Sequence, residues 1–208
     1  MTPHPEEAPL LHIVDDEAAV RDALAFLFLS HGLAARTYAD GMSFLDACQR
    51  ENLRGCVLLD VRMEPISGLQ VHDELLRRGT PLTVIFLSGH GDIPMAVEAL
   101  KKGAFDFLEK PFSDDSLVQR VRHALAVDAA RHEQDALGAE RRARLGSLSE
   151  REREVLQRIA AGKLNKQIAD ELGIAVRTVE VHRARVFAKL SVRSAAEAAT
   201  LLAEGGRS

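Results

Sequence analysis

The chain has 208 residues, 46% of them apolar, and carries 27 Lys and Arg against 31 Asp and Glu, a net charge of −4. That apolar share is ample for a packed core and excludes wholesale disorder. The longest unbroken apolar run, residues 23–29, falls far short of the roughly 20 residues that cross a bilayer. The acidic, Pro-bearing start has no basic region ahead of an apolar one and so reads as no secretory signal. Cys48 and Cys56 are too few for a disulfide framework or a zinc site. The expectation is a cytoplasmic protein with reduced thiols and no membrane partner.

In chain order, Leu10–Val14 predicts a first buried strand. Val20, Leu24, Leu27 and Phe28 then share one face of a helix that Gly32 closes, and a weaker strand follows over 33–38. Residues 57–59 predict the next strand, and Leu69, His72 and Leu76 the inner face of a helix opened by a Ser67–Gln70 capping box and closed at Gly79. A strand over 82–87 leads to a helix bearing Met95, Val97 and Leu100, with Asp92 as its cap, Pro94 in its first turn and Gly103 at its end. Residues 105–108 predict a fifth strand, and Leu117, Val121 and Leu125 a last helix. Short continuous apolar runs alternating with amphipathic helices predict a doubly wound, five-stranded parallel α/β domain.

Each strand ends in a polar group. The first runs into Asp15, Asp16 and Glu17, the second apolar run into Asp60, the next into Ser88, and the last through Glu109 into Lys110. Ligands of open parallel sheets bind outside the carboxyl ends of the strands. One Asp at a strand end is as readily a helix cap, but four strand ends sharing carboxylates, a hydroxyl and an ammonium are hard to explain as capping. Crowded carboxylates repel. Mg²⁺ relieves this through one or two of them, keeping sites for water or phosphate oxygens. A neighbouring carboxylate can act as nucleophile and form an aspartyl phosphate, with Lys110 and Ser88 around the phosphoryl oxygens.

Residues 10–125 resemble the receiver domain of bacterial two-component response regulators, in HIVDDE at 12–17, LLDVRM at 58–63, FLSGHGDIPMAVEALKKGA at 86–104 and DFLEKPF at 106–112. SGHGD followed by IPMAVEA resembles the FixJ-type branch of the NarL/FixJ family. The resemblance implies that the sheet is flavodoxin-like, that Asp60 is the phospho-acceptor and that Asp15, Asp16, Asp60 and the backbone carbonyl of Arg62 hold Mg²⁺. It implies that Lys110 neutralises the phosphoryl group, Ser88 is the switch hydroxyl, Phe107 the switch aromatic and Lys110–Pro111 a cis bond. One departure stands out. The family usually places proline four residues after the acceptor; here that position is Glu64, with proline moved to 65, while Gly68 keeps its place. A carboxylate there either alters Mg²⁺ binding or phosphoryl lifetime, or faces water.

The charge changes sign along the chain. Residues 1–125 hold 12 basic and 19 acidic residues, net −7, and the rest 15 and 12, net +3, as expected of two domains with different partners. Residues 126–146, rich in Ala, Arg, Glu and Gln, predict a helical linker continuing the last receiver helix. Residues 147–208 predict four helices. Ser149 with Glu152 caps the first, which buries Val155, Leu156 and Ile159. The second opens at Asn165, buries Ile168, Ala169 and Leu172, and closes at Gly173. The third spans about 176–190, and Ser194 with Glu197 caps the fourth. On a helical wheel Val179, Val186 and Leu190 of the third helix face the core, and Arg177, Val181, Ala184 and Ala188 lie opposite. Small side chains there suit approach to base edges.

SEREREVLQRIAAGKLNKQIADELGI at 149–174 with RTVEVHRARVFAKL at 177–190 is similar to the LuxR-type helix-turn-helix. That resemblance implies base-facing Glu180, Val181 and Ala184, phosphate contacts from Lys166, Thr178, His182, Arg185 and Lys189, and a dimerising fourth helix. Arg183 lies nearer the core side. Ala175 departs from the serine often found as the cap of the third helix. The whole implies a DNA-binding regulator. It further implies a sensor histidine kinase that phosphorylates Asp60, homodimerisation that then sets binding to promoter DNA, and RNA polymerase as a further partner. Two other readings are a phosphorylation-independent dimerisation module and a Mg²⁺-dependent aspartyl-phosphate phosphatase.

Overall fold

Residues 55–60 are apolar from Cys56 to Leu59, and in the computed structural model all six are buried in the middle of a sheet. The structure describes residues 10–89 and 93–205; the expected Asp92 cap lies outside them. The strands are β1 (Leu10–Val14), β2 (Ala35–Tyr38), β3 (Gly55–Asp60), β4 (Thr83–Ser88) and β5 (Asp106–Glu109). They pair in parallel in the order β2-β1-β3-β4-β5. Between them run helices α1 (Ala18–Ser30), α2 (Gly41–Arg50), α3 (Gly68–Arg78) and α4 (Ile93–Lys101), and α5 (Asp114–Gly146) follows β5.

Alternation along the strands divides the core in two. Val57 and Leu59 of β3 face a cluster completed by Val14, Phe86, Phe44 and Leu45 of α2, Val71 and Leu75 of α3 and Ala99 of α4. Cys56 and Leu58 face the other, with Ile13, Ile85, Leu24 and Phe28 of α1 and Leu117, Val121 and Ala124 of α5. Both faces are covered, which is why the strands read as continuous apolar runs rather than alternating ones. Each fully buried Leu, Ile or Phe contributes roughly 1.5–3 kcal/mol.

Two helix faces differ from the sequence expectation. On α3, Val71, His72 and Leu75 are buried, while Leu76 is 49% exposed. On α4, Ala99 is buried, and Val97 and Leu100 lie on the solvent side. In both helices an adjacent apolar pair supports either of two faces 100° apart, and packing against the sheet buries Leu75 and Ala99 rather than their neighbours. The α2 helix had no separate sequence expectation; Asp40 caps it by accepting from the Ser43 N–H at 2.7 Å.

The contacts divide the chain into two units, residues 1–132 and 133–208, and the division falls within α5. In the second unit, α6 (Glu150–Ala160), α7 (Asn165–Leu172), α8 (Val176–Leu190) and α9 (Ala195–Gly205) enclose two small cores. Val155, Ile159, Ile168, Ala169 and Val179 form one, and Leu156, Val186, Leu190 and Ala198 the other. Ser149 and Glu152 form a reciprocal capping box on α6, Gly173 ends α7 in the left-handed conformation at φ 63°, and Ala175 gives α8 no side-chain cap.

Candidate functional site

The carboxyl ends of β1, β3, β4 and β5 carry the polar groups of the first unit. Asp15 follows β1 directly. Its Oδ1 accepts from the Glu17 N–H at 2.9 Å, and it is 1% exposed. Asp60 closes β3, where its Oδ2 accepts from the Arg62 N–H at 2.8 Å. Lys110 follows β5 and reaches back across the sheet end, its Nζ donating to Asp60 Oδ1 at 2.8 Å and to Asp15 Oδ2 at 3.2 Å. The Lys110 backbone N–H also donates to the Ser88 carbonyl at 2.7 Å, which fixes the loop to the end of β4. Ser88 is buried. The Lys110–Pro111 bond is cis, as is Glu64–Pro65, which the sequence did not suggest.

The electrostatics follow from this burial. Desolvation is the dominant influence on Asp60 and pushes its carboxyl above the ordinary range, although the Lys110 ammonium pulls the other way. For Lys110 burial lowers the pKa, but the hydrogen bonds and charges of Asp60 and Asp15 together outweigh it and hold the ammonium above its usual value. The structure thus brings Asp15, Asp60, Lys110 and the end of β4 together. Asp16 is exposed beside this cluster, in the wall of a cleft of about 580 Å³ that Arg62 and Glu64 also line.

Among the described residues no three His, Cys, Asp or Glu side chains gather as a metal cluster. Two buried carboxylates nevertheless converge from separate strands on one cation, the Lys110 ammonium. Mg²⁺ uses one or two carboxylates and fills its remaining positions with water, so this pair of hard oxygen donors fits that ion.

Phe107 on β5 is half-buried and lies 6.0 Å from Phe86 on β4, which in turn meets His72 of α3 edge-on at 5.4 Å. Sequence reasoning missed this backing, and no local signal marks a contact between three separate elements. It also missed Arg21, whose guanidinium donates to the carbonyls of Asp15 and Asp16 at 2.8 and 3.0 Å and so pins the acidic turn to α1.

In the second unit α8 buries Val179, Val186 and Leu190 and exposes Arg177, Val181, Ala184, Arg185 and Ala188. Thr178 and Glu180 are exposed with them, and Arg177 pairs with Glu180 at 3.1 Å. Lys166 on α7 and Arg185 make no ion pair among the described residues and stand at the surface. His182 is half-buried, and its Nδ1 has no hydrogen-bond partner among the described residues. Lys189 differs from the others. Its ammonium donates to Glu152 Oε2 at 2.7 Å and to the Ser147 carbonyl at 3.1 Å, inside the unit. Arg183 lies over the Phe187 ring at 5.1 Å and donates to Asn165 Oδ1 at 3.4 Å.

Residues 11–122 match the family described as the response regulator receiver domain, and residues 146–202 that described as bacterial regulatory proteins of the luxR family. The chain is 47% identical over 193 residues to the transcriptional regulatory protein FixJ of Azorhizobium caulinodans, covering 93% of this chain and 90% of that one. It is 49% identical over 193 residues to the C4-dicarboxylate transport transcriptional regulatory protein DctR of Rhodobacter capsulatus, covering 92% and 98%. The solved structure of the response regulator StyR superposes with a TM-score of 0.89 at 37% identity, over 95% of this chain and 99% of that one. Full-length FixJ from B. japonicum gives 0.59 at 39% identity, over 95% and 97%.

Proposed function

This chain belongs to the NarL/FixJ family of response regulators, transcriptional regulators that join a receiver to a LuxR-type helix-turn-helix domain, and from that premise we propose that Asp60 is its phospho-acceptor. The observation that carries the assignment is the single ammonium of Lys110 held between Asp60 and Asp15 at the ends of three strands. A histidine kinase presents the phosphoryl group. An Asp60 carboxylate oxygen forms the new O–P bond as the donor's imidazole nitrogen leaves with its bonding pair. The product is an acyl phosphate that acts as a signal rather than as a turnover intermediate.

Asp15, Asp16, Asp60 and the Arg62 backbone carbonyl would hold Mg²⁺. Bound there, the ion supplies charge neutralisation for the incoming phosphoryl oxygens. Lys110 already lies against Asp60 and needs only a short shift to pair with a phosphoryl oxygen. The new charge, about −1.5 to −2 at neutral pH, draws in the Ser88 hydroxyl at the end of β4. Phe107, backed by Phe86, then repacks. This biases a surface around α4 and β5 toward homodimers, a population shift between existing states.

In the second unit Glu180, Val181 and Ala184 face base edges, and Lys166, Thr178, His182 and Arg185 take phosphates. Lys189 joins them only by leaving Glu152. Two such helices in a dimer read neighbouring promoter half-sites, within reach of RNA polymerase. Among the described residues no helix is long and apolar enough to cross a membrane. A cytoplasmic site of action accords with these partners.

The test is incubation with Mg²⁺ and a small phosphodonor, comparing the wild type with Asp60→Asn. Labelling of the wild type alone is expected. Equal labelling of both proteins would remove Asp60 from its role.

A further inference from the structure

Glu64 stands where the receiver pattern usually has proline, four residues past the acceptor. Its side chain is exposed, in the wall of a cleft of about 580 Å³ together with Asp16, Arg62, Met63, Ser67 and Met95. The cleft adjoins the acceptor, because Arg62 in its wall donates its N–H to Asp60 Oδ2. Asp16 and Glu64 thus bring two acidic residues to that wall, and Arg62 one basic residue. Asp16 belongs to the proposed Mg²⁺ set, which leaves the Glu64 carboxylate as a negative charge with no part in holding the ion.

We propose that Glu64 is a specificity determinant for the phosphoryl donor, disfavouring free dianionic donors relative to donors of lower charge. The proposal rests on the reading of Asp60 as acceptor. Coulomb energy scales with the product of the charges, so a carboxylate at the mouth of the site penalises a dianion about twice as strongly as a monoanion. Because the group is exposed, the penalty is screened by salt. It is present at about 0.01 M, where the Debye length is roughly 30 Å, and largely gone near 1 M, where it is roughly 3 Å.

Two small donors separate charge from other effects. Acetyl phosphate is a dianion near neutral pH; the Asp60 carboxylate forms the O–P bond and acetate leaves with the electron pair. Phosphoramidate is a zwitterion of net −1; the same bond forms and ammonia leaves, its third proton already on the nitrogen. Labelling rates with both donors are to be measured for the full-length wild type, Glu64→Gln, Glu64→Lys and Asp60→Asn, at Mg²⁺ concentrations that saturate each protein.

The ratio of acetyl phosphate to phosphoramidate rates should rise roughly threefold in Glu64→Gln at low ionic strength, the factor that one unit of charge difference gives across about 6 Å of water. It should rise further in Glu64→Lys, and both gains should collapse in high salt. A ratio unchanged in both Glu64 variants, with labelling still dependent on Asp60, overturns the proposal alone. A changed ratio that high salt leaves intact also overturns it, since a rearranged loop rather than a charge would then be responsible. Labelling that persists in Asp60→Asn overturns the acceptor assignment and the proposal with it.

Discussion

Lys189 Nζ lies 2.7 Å from Glu152 Oε2, so the last turn of α8 is tied to the capping box that starts α6. The Glu152 carboxylate also accepts from the Ser149 N–H at 2.8 Å and is almost fully enclosed. Lys189 is therefore part of what holds the helices of the second unit together.

Replacing this lysine should cost stability. Lys189→Met leaves a buried carboxylate without its cation, at about 1–3 kcal/mol. Lys189→Met/Glu152→Gln should recover part of the loss. The midpoint of urea unfolding reads both. An unchanged midpoint with DNA binding weakened across all sequences would instead place the ammonium on phosphate, as the sequence pattern implies.

The same contact sets a pH dependence. The Lys189 ammonium, then the Ser149 N–H, hold the Glu152 carboxyl down at about 2, against about 4.3 in an unfolded chain. A depressed carboxylate stabilises the fold above the unfolded value, and that contribution fades as pH falls from about 4.3 toward 2. Stability of the second unit should fall through this window in the wild type and less steeply in Glu152→Gln. Hydrogen exchange of the α6 and α8 amides in the full-length protein measures it.

Gly68 opens α3 against the acceptor strand. A Cβ built there would collide with the Asp60 carbonyl oxygen and come within 3.0 Å of Leu59 Cγ. Backbone cannot yield as a flexible side chain can, so Gly68→Ala should destabilise the receiver by about 1–3 kcal/mol and slow labelling of Asp60. Thermal unfolding and donor labelling check the two effects. A neutral substitution would mean that α3 slides away from β3 freely.

Ala175 offers the opposite opportunity. Its backbone is extended, φ −68° and ψ 146°, with no side-chain cap on α8. Ala175→Ser should supply an acceptor for the first-turn amides and add about 0.5–1 kcal/mol. A rise in the urea midpoint with unaltered DNA sequence preference is the expected result.

Much of the first unit was legible because burial on both sheet faces forces continuous apolar runs, and because each run ends in a polar residue that a helix cap or a ligand site requires. Asp15, Asp60 and Lys110 could be placed together that way. The helix faces were less legible. Leu75 and Leu76 are equally apolar, and only packing against the sheet decides that Leu75 is buried. The Lys189–Glu152 pair spans 37 residues; an exposed basic position and a capping glutamate each had a sufficient local explanation, so nothing in the pattern joined them.

The position of β3 bears on how a signal can leave the acceptor. This strand is hydrogen-bonded on both sides, from Gly55 against β1 to Asp60 against β4, and buried on both faces. Such segments open only with global unfolding. Asp60 is therefore mounted on a stiff central post of its unit, and a phosphoryl group added to it is a fixed electrostatic landmark. Whatever moves in response is drawn from the softer periphery, where α4 shows Ile93, Val97 and Leu100 to solvent and Phe107 is only half-enclosed. Adaptation of this unit to new partners can proceed by editing that periphery while the post stays as it is.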